Sequence, residues 1–223
     1  TYLCSKTAAQ RIALQEKPIK LIFILRHPTR RTISNYLHLL KSGRAIYSLE
    51  DTLRYDPNSI IRRSLYKGQL ETFFKYIPRH RIKIVLFEDL ISDKKSCLQD
   101  ICEFLGIDGN KFDASVFDMH SNKTRIPKNI KLQLIRNKLA RKSSNYRYSR
   151  FLPVKAEIYK KQPLAYRVID KIHNAINPKS AKFSFEPNEA TIKLLDNYFK
   201  TELHGIDELI QKDIFQTWFG YDL

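Results

Sequence analysis

The stretch from Lys20 to Tyr36, KLIFILRHPTRRTISNY, constrains the fold more than any other part of the chain. Leu21, Ile22, Phe23, Ile24 and Leu25 form an unbroken apolar run. A strand buried on both faces of a parallel sheet has this pattern. Pro28 follows shortly; it suits the first turn of a helix and cannot continue a central strand. Ile33, Tyr36, Leu37 and Leu40 then recur at helical spacing, which predicts a helix over Thr29–Ser42 with Gly43 as its stop. Arg26 is thereby placed at the carboxyl end of a strand, where open α/β sheets bind their ligands. Ser34 falls about two turns into the helix. A guanidinium fork with a hydroxyl nearby is a sensible grip for a phosphate.

The remaining pattern fits the same class. Arg81 to Phe87 alternates and then runs apolar, which predicts a second strand. Helices separate it from the first, so a right-handed crossover and parallel pairing are expected. Ser48 opens a capping-box pattern before a short helix, and Pro57-Asn58 breaks the chain. A long helix is predicted from about Ser59 to Ile77, ended by Pro78. Glu88-Asp89-Leu90 closes the second strand. Asp93 to Leu105 reads as a helix stopped by Gly106, and Phe112 to Lys131 as loop. Further helices are expected over Pro163–Ile176, Pro187–Leu203 and Ile206–Phe219, and a short one within Thr1–Pro18. The expectation is one α/β domain over residues 1–223, a parallel sheet flanked by helices.

Composition limits the partners. The 223 residues are 43% hydrophobic and 12% aromatic, enough for a packed core. The net charge of +17 and pI near 9.8 call either for an anionic partner or simply for many solvated lysines. Arg136, Lys138, Arg141, Lys142, Arg147 and Arg150 form the densest basic cluster, either a solvated face or a surface for an acceptor. Cys4, Cys97 and Cys102 show neither a pairing framework nor CxxC spacing. The six histidines have no metal-ligand spacing. No apolar run approaches the ~20 residues that span a bilayer.

With these residues in view, a family emerges. Arg26-His27-Pro28-Thr29-Arg30-Arg31-Thr32-Ile33-Ser34-Asn35-Tyr36 resembles the RDPxxRxxSxY motif of sulfotransferases that use 3′-phosphoadenosine 5′-phosphosulfate. His27 stands where Asp is common. Ser64 to Leu70 is similar to the family's GxYxxxLxxW-like helix, and Ile84 to Leu90 to its strand ending in Glu-Asp-Leu. Ser121-Asn122-Lys123-Thr124-Arg125-Ile126-Pro127 resembles the Ser-x-Lys-Gly-Arg loop that closes over the nucleotide, with Thr124 in place of Gly. Tyr2-Leu3 and the stretch from Leu203 to Trp218 also look like family segments. The resemblance leans toward the heparan-type carbohydrate branch and the bacterial members.

That resemblance implies a kinase-like α/β fold. It implies a sulfuryl transfer from 3′-phosphoadenosine 5′-phosphosulfate to a hydroxyl or amine of an acidic or neutral carbohydrate, or of a small molecule. Arg26 and Ser34 are the positions that hold the 3′-phosphate; Tyr66, Lys123, Thr124 and Arg125 are the further candidates at the nucleotide. No metal is required, since cationic side chains and helix amides supply the charge. The glycine-rich phosphosulfate loop is not found: glycines 43, 68, 106, 109, 205 and 220 do not cluster. That loop, and the catalytic Glu, are expected upstream of Thr1, so no catalytic residue is assigned. The start has no initiator Met and no signal-peptide h-region. The missing cysteine pairs of secretory relatives and the Lys- and Ile-rich composition point to a bacterial cytoplasmic enzyme. Three rivals stay open: a basic nucleic-acid-binding module, a kinase-like phosphotransferase and a non-catalytic relative. No interleaved aromatic–basic motif supports the first. The sequence does not reveal the oligomeric state.

Overall fold

The computed structural model describes residues 2–109, 125–143 and 164–220. In chain order the elements are α1 (Ala8–Ala13), β1 (Leu21–Leu25), α2 (Pro28–Lys41), α3 (Leu49–Tyr55), α4 (Asn58–Ile61), α5 (Tyr66–Tyr76) and β2 (Ile82–Leu86). There follow α6 (Phe87–Ser92), α7 (Lys94–Leu105), β3 (Ile126–Pro127), α8 (Ile130–Ser143), α9 (Leu164–Ile176) and β4 (Lys179–Ser180). The last three are α10 (Glu189–Glu202), α11 (Ile206–Ile210) and α12 (Phe215–Phe219). The chain divides into two compact units, residues 1–32, 61–121 and 188–223 in one and 33–60 and 122–187 in the other.

The first unit is built on β1 and β2, which pair in parallel from Leu21 opposite Ile82 to Leu25 opposite Leu86. Helices flank this sheet, so the fold is α/β. Side chains alternate across a strand. Phe23 and Leu25 are buried, and the Phe23 ring meets Phe73 of α5 edge-on at 4.9 Å. Ile24 is 47% exposed, so the strand is not buried on both faces as its composition suggested. Ile22 and Ile24 instead line a groove of about 800 Å³ together with Leu3, Ile12, Arg31 and Tyr66. Among the described residues β2 is the only ladder partner of β1, which leaves the other edge of β1 unpaired. The C-terminal helices close the unit through Leu195, Phe199, Leu203, Ile206, Ile214 and Trp218, all buried.

Two predicted helices are broken. The expected helix from Ser59 to Ile77 is α4, a 3-10 turn over Arg62–Ser64, and α5. Its carbonyls are diverted: Arg63 O accepts from Arg31 Nε at 3.1 Å, and Arg62 O from Gln69 Nε2 at 2.7 Å. The expected helix from Ile206 to Phe219 is split at Gln211, which adopts φ 56°. There the Asp207 carboxylate accepts from the backbone N–H groups of Ile214 and Phe215, each at 3.0 Å, and starts α12 afresh. Glu88-Asp89-Leu90 does not merely end the strand but forms half of α6. The predicted loop to Lys131 contains β3 and the start of α8. Other local signals hold. Ser48 Oγ accepts from Asp51 N at 3.0 Å, Asp93 caps α7, and Gly106 takes φ 77° just past it.

The second unit holds α2 from Ile33 onward, α3, the antiparallel β3–β4 pair, α8 and α9. Its centre is polar. Asn137 on α8 is fully buried and donates to the carbonyls of Leu40 at 2.9 Å and Ala45 at 2.7 Å. Gln133 Nε2 donates to Asn137 Oδ1 at 2.9 Å, and His173 Nε2 lies 3.1 Å from Gln133 Oε1. Arg136 holds Asp170, with Nε 2.8 Å from Oδ1.

Candidate functional site

Because β1 and β2 run in parallel and in register, their carboxyl ends arrive together. Arg26-His27 leaves β1 where Phe87-Glu88 leaves β2. The Arg26 guanidinium lies over the Phe87 ring at 4.9 Å, a geometry that favours a planar cation. The backbone beneath it is fixed on both sides. Tyr66 Oη donates to Arg26 O at 2.8 Å and receives the longer Arg26 N–H contact at 3.4 Å. Glu88 Oε1 accepts from His27 N at 2.9 Å, and Glu88 Oε2 from Trp218 Nε1 at 3.4 Å. Thr29 Oγ1 donates to Asp196 Oδ1 at 2.5 Å, which ties the first turn of α2 to α10.

The electrostatics set Arg26 apart. Burial lowers its pKa from the ordinary arginine value, with Glu88 opposing and Arg30 and Arg31 adding to the depression. Among the described residues its guanidinium makes no hydrogen bond or ion pair. A partly buried cation whose donors have no partner is costly unless an anion meets it. The positive end of α2, fourteen residues long, begins two residues on.

Tyr66 is fully buried and its hydroxyl is raised to about 12, chiefly by desolvation. It is a neutral hydrogen-bonding strut under Arg26. His27 is also buried. Its Nε2 lies 2.8 Å from Trp218 O, a carbonyl that can only accept, so Nε2 carries the proton. Nδ1 is then an acceptor, and it is buried without a partner among the described residues. Burial lowers the His27 pKa, which keeps the ring neutral. Glu88 has both oxygens engaged in holding the backbone and the indole, a structural use of the carboxylate.

The other predicted positions are placed as follows. Ser34 is half-buried on α2, in the second unit. Arg125 is exposed just before β3, also in that unit. Lys123 and Thr124 lie outside the described residues. Of the basic cluster, Arg136 is engaged with Asp170, Lys138 is exposed, and Arg147 and Arg150 are outside the described residues. Sequence reasoning did not find Trp218, Phe87 and Asp196 as site partners. They lie far along the chain from Arg26, and nothing in their local sequence marks the contact. Among the described residues no group of three or more His, Cys, Asp or Glu could hold a metal, and no helix is long and apolar enough to cross a membrane.

A comparison with family models matches residues 18–114 to the sulfotransferase family. That segment contains both strands, Arg26, Tyr66 and Glu88. Over that segment, a little under half of its length, the chain is similar to the sulfotransferase family. It is 30% identical over 136 residues to the Mus musculus heparan sulfate glucosamine 3-O-sulfotransferase 5, covering 56% of this chain and 38% of that enzyme. It is 31% identical over 115 residues to the Mus musculus 3-O-sulfotransferase 3B1, covering 48% of this chain and 30% of the relative. The crystal structure of a sulfotransferase from Alicyclobacillus acidocaldarius shares the fold, with a TM-score of 0.58 at 18% identity over 97% of this chain and 64% of the other. The chain thus spans less than two fifths of the length of these curated relatives.

Proposed function

We propose that this chain is part of a sulfotransferase that takes 3′-phosphoadenosine 5′-phosphosulfate as donor and binds its 3′-phosphate with Arg26 and Ser34. The observation that carries the reading is the half-buried Arg26 guanidinium, stacked on Phe87 with its donors unspent at the carboxyl end of a parallel strand. Tyr66 fixes the backbone beneath it and stays in this reading as a further candidate at the nucleotide. Lys123, Thr124 and Arg125 belong to this reading as the segment that covers the donor. The acceptor is a carbohydrate hydroxyl or amine, in keeping with the heparan sulfate enzymes to which the chain is similar. Sulfuryl transfer then needs the donor held in line and its developing charge neutralised, which cationic side chains supply without a metal. The single-domain organisation over 1–223 is part of the same proposal.

Calorimetry with 3′-phosphoadenosine 5′-phosphate tests it. Arg26→Ala should lose about 1.5–3 kcal/mol of binding, the worth of a charged hydrogen-bonded contact, and Arg26→Lys should recover part of it. Ser34→Ala should lose less. Both losses should vanish when the ligand lacks the 3′-phosphate. Equal affinity of the parent and Arg26→Ala for the 3′-phosphorylated ligand would remove the assignment.

A further inference from the structure

Helices α8 and α9 are inside-out. Their shared interface is polar, through the pairs Arg136–Asp170, Gln133–His173 and Asn129–Asn177. Their outward side chains are aliphatic. Ile135 and Leu139 of α8 are 55% and 58% exposed; Val168, Ile169, Ile172 and Ile176 of α9 are 50%, 52%, 57% and 61% exposed. The spacing in each helix makes a continuous stripe.

The two stripes share one side. The paired residues descend along α9 as they ascend along α8, so the helices are antiparallel. At roughly 100° per residue, each stripe is centred some 110–130° from its own line of contact. Both offsets have the same sense along the chain, and antiparallel helices wind oppositely in any one view. The stripes therefore point to the same side of the pair. Half-exposed aliphatics in such number reach the size of the largest patch on an ordinary monomer, about 300–600 Å², which is commonly a functional surface.

Charge selects the partner. Asp170 is the only acidic residue in either helix, and it is held by Arg136. Lys131 and Lys138 stand exposed along the outer border of the α8 stripe. A second copy of the chain would bring two such basic surfaces together. A basic, apolar and flat face instead complements an anionic bilayer surface, where aliphatics enter the acyl boundary and cations meet headgroups. We propose that the α8–α9 pair docks this chain on an anionic lipid surface.

The test is co-sedimentation of the whole chain with vesicles of phosphatidylcholine alone or mixed with phosphatidylglycerol. Binding is expected only to the mixed vesicles. It should fall at least about tenfold in Ile135→Ser/Ile172→Ser, whose exposed positions leave the thermal melt unchanged. Charge reversal at Lys131 and Lys138 should also weaken it. Ile172→Trp adds a reporter at the stripe, and brominated lipid should quench its emission. No sedimentation with anionic vesicles overturns the proposal. So does sedimentation that the serine variant leaves intact, which would mean adsorption by net charge alone. Light scattering that shows a dimer abolished by the serine variant would give the face to a second copy. Blue-shifted emission of the added tryptophan before vesicles are added, taken as the difference from the parent with its buried Trp218, would mean that the chain covers the stripe itself.

Discussion

His27 illustrates how much one residue is asked to reconcile. It sits between Arg26 and the start of α2, is buried, and spends its one proton on the Trp218 carbonyl. Its ring faces Glu88 and Asp196, which favour a charge, and Arg30, which opposes one, yet burial dominates and lowers the pKa. His173 in the second unit is lowered for the same first reason, with Arg136 adding to it. A lowered folded value means that below about pH 6.5 the unfolded chain binds more protons than the folded one. The stability held by the neutral rings is then complete above that pH and lost as the pH falls, at up to about 1.4 kcal/mol per pH unit for each ring. Urea denaturation at pH 7.5 and pH 5.5 should show this loss. It should be smaller in His27→Gln, which keeps a donor for Trp218. An unchanged loss in that variant would show that His27 titrates as an ordinary exposed histidine.

At the scale of elements, α12 is a short piece with a wide consequence. Five residues long, it brings Trp218 under the site, where the indole donates to Glu88 and its ring stands 5.7 Å from that of Tyr66. The helix exists where it does because Asp207 supplies its first N–H partners. Trp218→Ala should cost about 3–5 kcal/mol through the lost ring and the cavity left behind. Trp218→Phe keeps most of the burial but leaves Glu88 Oε2 without its donor, and should cost about 0.5–1.5 kcal/mol. Urea midpoints at constant slope would separate the two, and a Trp218→Phe midpoint equal to the parent's would mean that the indole N–H contributes nothing.

The broken helices at this scale were not readable from periodicity. Apolar spacing through Ile61, Leu65 and Leu70 is continuous, so a pattern reading joins α4 to α5. The break comes from Arg31 and Gln69, which claim carbonyls that a helix would use. Local chemistry was readable where it acts locally: Ser48, Asp93 and Gly106 each do what their residue type and position predict.

Over the whole molecule, the two units are stabilised by different means. The first buries aromatics and aliphatics around β1 and β2; the second surrounds a hydrogen-bonded polar cluster. That cluster tolerates no missing member, because each buried partner left alone bears its desolvation cost. Asn137→Ala would strand the Ala45 carbonyl, take Gln133 Nε2 from its acceptor and leave Leu40 O to the Gly43 N–H alone, and should lose at least about 2 kcal/mol. Calorimetric melting would report it, and a loss below about 0.5 kcal/mol would mean that water replaces the amide.

What the sequence determined by itself lies within short reach of each residue. An apolar run ended by Arg-His-Pro dictated a strand, a turn and a helix, and so put Arg26 at a strand end. The same residues carried the family resemblance. What tertiary structure alone decided is the company that Arg26 keeps. Parallel register brings Phe87 and Glu88 beside it, and the chain's far end brings Trp218. It also decided that α8 and α9 turn their polar sides inward. The hydrophobic pattern names an apolar face but not what covers it, because burial depends on contacts between distant segments rather than on the order of side chains along one helix.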